Sequence, residues 1–269
     1  MKKFFPVILV ALLTTFGFAA KDSMRSIPNN SFSSGEVLKY KVHYGPITAA
    51  EAVIDVAPTL QYINGRPCYR ATVYGKTNSS FDLFIRIRDT WQSYIDTAAL
   101  VPHRSFRNIE EGNYRKRETV DFDHYKNTAF VEKKKRDKAK ETKNFRVPDN
   151  VQDIVSGFYF LRTVNYDNMR IGDKVKVQGF FDEETFDMEV VFKGREVVST
   201  KAGDIKAIKL MPRMPKNEKF KGENAITVYL SDDRNKIPVL IQAEMFVGSV
   251  KVNLYEYKNL KHKLMLAQN

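Results

Sequence analysis

The chain has 269 residues, 44 Lys and Arg against 32 Asp and Glu, a formal net charge of +12 and a single cysteine. One cysteine excludes an internal disulfide, so stability has to come from a hydrophobic core, and this length suffices for one large domain. The basic balance favours anionic surfaces as partners, and a cofactor is not indicated by any phosphate-binding glycine loop or cysteine–histidine cluster.

The chain opens with Lys2 and Lys3, followed by an almost wholly apolar run from Phe4 to Phe18 and the small residues Gly17, Ala19 and Ala20. This is the make-up of a secretory signal, so residues 1–19 are expected to be removed on export. An uncleaved anchor is the alternative, for a run near the minimum length of a span and interrupted by Pro6 and Gly17. No cysteine stands just after the run, so a soluble periplasmic protein without a lipid anchor is expected, with no transmembrane segment after cleavage. Loss of Lys2 and Lys3 leaves 42 − 32 = +10, which fits lipid, lipopolysaccharide or acidic polysaccharide as partners and not nucleic acid, which that compartment lacks. Residues 20–33, with Pro28, Asn29, Asn30 and several serines, read as a flexible leader.

From Val37 the pattern alternates. Val37, Lys39, Lys41 and His43 interleave with Leu38, Tyr40, Val42 and Tyr44; Gly45-Pro46 turns the chain into a second strand, Ile47 to Val56. Asn64-Gly65 is a hairpin signal between Thr59–Ile63 and Cys68–Lys76. Ser79–Ile85 suits a short helical turn, and strands are expected at 90–96, 101–109, 114–122 and 128–134. Pro148-Asp149-Asn150 then looks like a helix start, and Val151, Ile154, Val155, Phe158 and Leu161 fall on one face. A helix is therefore expected over 150–164, in which Gly157 costs about 1 kcal/mol relative to Ala. Strands resume at 174–181, 186–192, 196–200, 205–211, 225–230, 237–246 and 249–257, and residues 259–269 form a basic tail.

The two β stretches keep common landmarks. Gly35-Glu36 is matched by Gly172-Asp173, Gly65 by Gly203, Trp91-Gln92-Ser93 by Tyr229-Leu230-Ser231, and Pro102 by Pro238. The offsets stay within two residues of 138. The expected fold is one mainly β domain over residues 34–258. Two repeated halves, about 35–147 and 172–258, would form a large antiparallel barrel or strongly coiled sheet around one central helix.

Three blocks resemble the exported bacterial family DUF3108: Gly35 to Ala52, Val151 to Arg162, and Leu230 to Val239 followed by Gly248-Ser249-Val250. The resemblance spans Ser34 to about Lys258. It implies an exported β fold and supplies no catalytic residues, because the family has no known function. Ala49-Ala50 stands where the family often has Ala-Gly, which puts a tight bulge there in doubt. More distantly, the pattern is similar to the half-open barrels of periplasmic lipoprotein carriers, whose concave face holds acyl chains; that step is analogy of fold alone.

For chemistry the chain offers little. His43, His103, His124 and His262 are not at metal-ligand spacing, and Asp121 and Asp123 would face away from His124 on a strand. Ser231-Asp232-Asp233 lacks a glycine elbow and suits a turn; Asp182-Glu183-Glu184 suits a solvated hairpin tip. Cys68 is expected to be a small buried residue. Lys133, Lys134, Lys135, Arg136, Lys138 and Lys140 form an exposed basic tip, the candidate contact for an anionic surface, and Lys216, Lys219 and Lys221 a second basic loop. Trp91, Phe158, Phe160 and Leu161 are the candidate ligand-lining residues, in an apolar groove partly covered by the helix. The expected activity is non-catalytic binding of a lipid, another apolar ligand or an anionic envelope polymer. The alternatives are a hydrolase whose site is assembled from distant residues and a structural, partner-binding protein.

Overall fold

A computed structural model describes residues 24–213 and 221–267; the expected signal segment, the basic residues Lys216 and Lys219 and the last two residues lie outside them. Hairpins build the chain. At Asn64-Gly65 both residues take positive φ, 51° and 74°, the mirror-image turn that matches the twist of paired strands. The strands are β1 (Val37–Tyr44), β2 (Ile47–Val56), β3 (Gln61–Ile63), β4 (Arg66–Thr77), β5 (Arg88–Asp96), β6 (Pro102–Glu111), β7 (Tyr114–Asp123), β8 (Thr128–Lys135) and β9 (Glu141–Arg146). After the helix α1 (Ile154–Leu161) come β10 (Lys174–Phe181), β11 (Glu184–Thr200), β12 (Gly203–Pro212), β13 (Ile226–Ser231), β14 (Pro238–Glu244) and β15 (Ser249–Lys258). The short helical turn expected before β5 is present at Phe81–Leu83.

All the strands join one antiparallel sheet in the order β10-β11-β12-β13-β14-β15-β1-β2-β4-β5-β6-β7-β8-β9, with β3 on β4. The fold is mainly β as expected, and the sheet is not a closed barrel: its two edges, β9 and β10, are not hydrogen-bonded to each other. β11 is a single long strand where two were expected, because the register slips at Lys193-Gly194 and Gly194, at φ 103°, accommodates the bulge. A slip also occurs at Ala49, opposite Val42/His43, so the bulge questioned at Ala49-Ala50 is there without glycine.

The helix is shorter than the periodicity suggests. Asp153 caps it, accepting from the Ser156 N–H at 2.7 Å while the Ser156 hydroxyl accepts from the Asp153 N–H at 2.9 Å. That box outcompetes Pro148-Asp149-Asn150. Val151 and Gln152 stay extended, and Gln152 pairs in parallel with Gly179 of β10, partly covering the sheet edge. The helix buries Val155, Ser156, Tyr159 and Leu161 and leaves Ile154 exposed.

The interior between helix and sheet is filled. Phe32, Val56, Ala71, Ile95 and Leu100 pack with Val155 and Tyr159; Leu161 and Tyr166 pack with Val177, Phe192, Leu210 and Leu230. Residues 24–33, the described part of the stretch expected as a flexible leader, join this core. Phe32 is 0% exposed and its ring lies 4.6 Å from Tyr159, Ile27 N–H bonds Ala98 O, and the Ser31 hydroxyl bonds Arg162 O. One large aromatic in a polar stretch is enough to anchor it. The C-terminal tail is tied down likewise, with Leu264 in the core and Ala267 N–H on Asp204 O.

At the centre, Arg162 sits bidentate on Glu36 at 2.6 and 2.7 Å, with exposures of 2% and 0%. Arg162 also donates to Asn235 O and Ser31 O at 3.1 Å each and lies over the rings of Phe32 and Tyr159. Glu36, Arg162 and Asn235 come one from each of the three blocks that carry the family resemblance. Those blocks are therefore neighbours in space.

Candidate functional site

The seam between β9 and β10 is closed by side chains. The β10–β11 turn lays Asp182 and Glu183 against the inner face of β6–β9. Arg107 stands over the rings of Trp91 and Phe181, 5.1 and 4.3 Å from their centres, and donates to Glu118 at 2.9 Å and Asp182 at 2.6 Å. Lys116 lies 2.8 Å from both of those carboxylates, and Lys133 and Lys143 take Glu183. Asp182-Glu183-Glu184 is thus a hairpin tip, as expected, but Glu183 is only 17% exposed and is held by two lysines. Burial pushes Asp182 up, yet the hydrogen bonds from Lys116 and Arg107 outweigh it and hold the carboxyl below its usual range. Phe145 and Phe180, 5.5 Å apart, join the two edges further along.

Beside the seam, Asp153 also accepts from the Ser93 hydroxyl at 2.7 Å, and burial raises its carboxyl to about 6. Glu118, Asp153, Asp182 and Arg107 therefore converge, the pattern of an enzyme site. The cavity they line is about 20 Å³, room for a single water.

An open cleft of about 670 Å³ lies between the segment 149–152, Phe160 of α1 and β10–β11. The Arg25 guanidinium lies 4.9 Å from the centre of the Phe160 ring and is held by the carbonyls of Ala99 and Leu100; burial pulls it down to about 10. Lys176, Val177 and Met188 add to the lining, which also carries the carboxylates Asp149, Asp187 and Glu189. Of the three carboxylates in the cleft, Glu189 is occupied by Lys174 and Arg213, Asp187 accepts from Gln178 and Asp149 accepts from Asn127. Lys176 stands opposite Glu189 in the strand register, and its charge adds to the Lys174 hydrogen bond and the charges of Lys174 and Arg213 that hold that carboxyl below its usual range. A cleft of this size is within the range of small-molecule sites.

The four candidate ligand-lining residues do not meet in one groove. Phe158, Phe160 and Leu161 share one hydrophobic cluster, Leu161 at 7% exposure and Phe160 also lining the cleft; Trp91 stands apart, stacked on Phe181 at 5.8 Å. Of the basic tip, Lys133 faces inward to Glu183, Lys140 pairs with Glu132 and Arg136 with Asp137, and Lys134, Arg136, Lys138 and Lys140 are exposed while Lys135 is half-buried. The Ser231 hydroxyl donates to Asp233 and accepts from the Ile237 N–H, holding a turn as expected. Cys68 is buried, and burial pushes its thiol up to about 12. Among the described residues no group of His, Cys, Asp and Glu could hold a metal ion. Sequence reasoning missed Arg107, Glu118 and Arg25. Arg107 and Glu118 sit at alternating positions on strands, where a charge on the inner face has no local mark.

The family model for the protein of unknown function DUF3108 matches residues 39–255. The chain belongs to the DUF3108 family. No curated protein matches it. Among solved structures, it is similar to a β-barrel-like protein of the domain of unknown function DUF1849 from Brucella abortus. That match has a TM-score of 0.54 and 10% identity, over 88% of this chain and 99% of that one, and it shows likeness of fold. A "putative lipoprotein" from Parabacteroides distasonis has a TM-score of 0.35 and 13% identity, over 88% of this chain and 100% of that one. A "putative exported protein with YmcC-like fold" from Bacteroides fragilis has a TM-score of 0.35 and 9% identity, over the same shares. No described helix is long and apolar enough to cross a membrane.

Proposed function

We propose that this DUF3108 protein is an exported, non-catalytic binder of an amphiphile with an anionic head, a lipid or a lipid-like envelope component, held in the cleft beside α1. The observation that carries the reading is the combination of room and chemistry there: about 670 Å³ lined by the apolar Phe160, Val177 and Met188 and the cations Arg25 and Lys176, with the carboxylates Glu189, Asp187 and Asp149 on the same lining already bonded to other side chains. The apolar part of the ligand would lie along the aromatic wall and its head near the cations. The filled interior directs the ligand to this outer cleft and not to a groove under the helix. Export to the periplasm without a lipid anchor rests on the N-terminal sequence alone. The reading of two related halves is supported by the strand starts: β1 and β10, β2 and β11, and β4 and β12 each begin 137 residues apart, and β5/β13, β6/β14 and β7/β15 follow within two of that spacing. β3, β8 and β9 have no counterpart.

The alternative, a hydrolase, draws on the converging carboxylates of the seam; a cavity with room for one water weighs against it. Titration with lysophosphatidylglycerol, followed calorimetrically, tests the proposal. Saturable one-to-one binding is expected, at least tenfold weaker in Phe160→Ala and in Lys176→Glu. Absence of saturable binding, or variants that bind like the parent, would overturn it.

A further inference from the structure

One rim of the sheet carries an unusual set of exposed side chains. Antiparallel order sends the β14–β15, β1–β2, β4–β5, β6–β7 and β8–β9 connections to the same end. Three neighbouring connections present large apolar residues to solvent: Leu83 is 86% exposed, Phe84 84%, Val247 76%, Phe246 63% and Ile47 58%. Direct contacts tie these connections into one surface. The Tyr44 hydroxyl donates to Val247 O at 2.8 Å; the Tyr44 ring lies 6.4 Å from that of Phe81, which lies 6.0 Å from that of Phe84; Asn78 N–H bonds Ala49 O. The rim continues into bases. Gly112 N–H bonds Arg86 O, Arg136 N–H bonds Arg115 O, and the Arg136 guanidinium reaches Asn113 O at 3.4 Å, so the exposed Arg86 lies next to the β8–β9 tip with Arg136 and Lys138. The exposed Lys251 flanks the other side.

We infer that this rim docks on an anionic lipid bilayer, with Leu83, Phe84, Phe246 and Val247 entering the interface and Arg86, Lys251 and the β8–β9 bases meeting the headgroups. Exposed apolar tips flanked by bases match a surface that is apolar within and negative outside. A second copy is a poorer occupant, since it would bring like charge against like charge. The inference stands on the rim alone and is independent of the cleft.

Sedimentation of the purified protein with phosphatidylcholine vesicles, with and without 30% phosphatidylglycerol (roughly a third anionic lipid), tests it. Binding to the anionic vesicles is expected, at least tenfold tighter than to the neutral ones and weakened by salt. The double variant Leu83→Ser/Phe84→Ser is expected to lose at least tenfold in binding while melting at the parent temperature. Phe246→Ser/Val247→Ser provides a second, separate test with the same expectation. The tip variants are expected to bind lysophosphatidylglycerol like the parent, which separates this surface from the cleft. No preference for anionic vesicles, or tip variants that bind unchanged, would overturn the inference; so would a dimer in sedimentation velocity that the tip variants abolish, which would assign the rim to a second copy.

Discussion

Replacing Glu36 by Gln probes the centre of the fold. The amide keeps the shape of the carboxylate but removes its charge, leaving the Arg162 cation unpaired at 2% exposure. The two bonds at 2.6 and 2.7 Å are its only contacts with an anion in that network; the remaining partners, Asn235 O, Ser31 O and two aromatic rings, are neutral. Breaking a buried pair from one side costs about 3–5 kcal/mol, a large part of a domain stability of about 5–15 kcal/mol. At about 2–4 °C per kcal/mol for a chain of this size, the melting temperature is expected to fall by about 6–20 °C. The companion variant Glu36→Gln/Arg162→Met removes both charges and is expected to recover at least about 2 kcal/mol relative to the sum of the two single changes. Thermal unfolding by circular dichroism, with urea midpoints for the cycle, measures both. A Glu36→Gln loss under about 1 kcal/mol, or additivity in the cycle, would refute the claim that this pair holds the leader, helix and β13–β14 turn together.

Other expectations follow from single positions. Gly157→Ala adds a Cβ whose nearest neighbour is Gln152 Cβ at 3.7 Å, ordinary contact, so it is expected to stabilise by about 0.5–1 kcal/mol in urea unfolding. Asp153 is raised to about 6 by burial, so the folded state holds a proton there that the unfolded chain has released, and its contribution to stability is lost as pH rises from about 4 to 6. Asp153→Asn, which keeps a capping oxygen, is expected to gain on the parent by about 2 kcal/mol across that interval in urea midpoints taken at pH 4 and 7. The buried Cys68 thiol, pushed to about 12, is expected not to react with a thiol reagent at pH 8 until the chain is unfolded, as read by absorbance at release of the chromophore.

How far the sequence shows all this depends on how local each signal is. Asn64-Gly65 announces its hairpin because the turn needs two residues that tolerate positive φ. Alternation along Val37–Tyr44 and Val250–Tyr257 likewise marks strands with one buried face. The start of α1 is less legible, since Pro148-Asp149-Asn150 and Asp153-xx-Ser156 both offer caps, and the choice falls to Gln152, which the β10 edge holds extended. β9, with the sequence Glu141-Thr-Lys-Asn-Phe-Arg146, carries no apolar alternation and forms because β8 offers it a free edge. The Arg162–Glu36 pair and the seam around Arg107, Glu118 and Asp182 join residues 126 and up to 75 positions apart, so no window of sequence contains them. Phe160 reaches the cleft while Leu161 turns into the core, a difference set by the helix's rotation on the sheet and not by residue type.

Native mass spectrometry of the protein purified from its own envelope, followed by solvent extraction and lipid analysis, tests the central proposal most directly. The account predicts one bound amphiphile with an anionic head per chain, lost in Phe160→Ala. A clean unliganded mass that takes up nothing from added anionic lipid would contradict it.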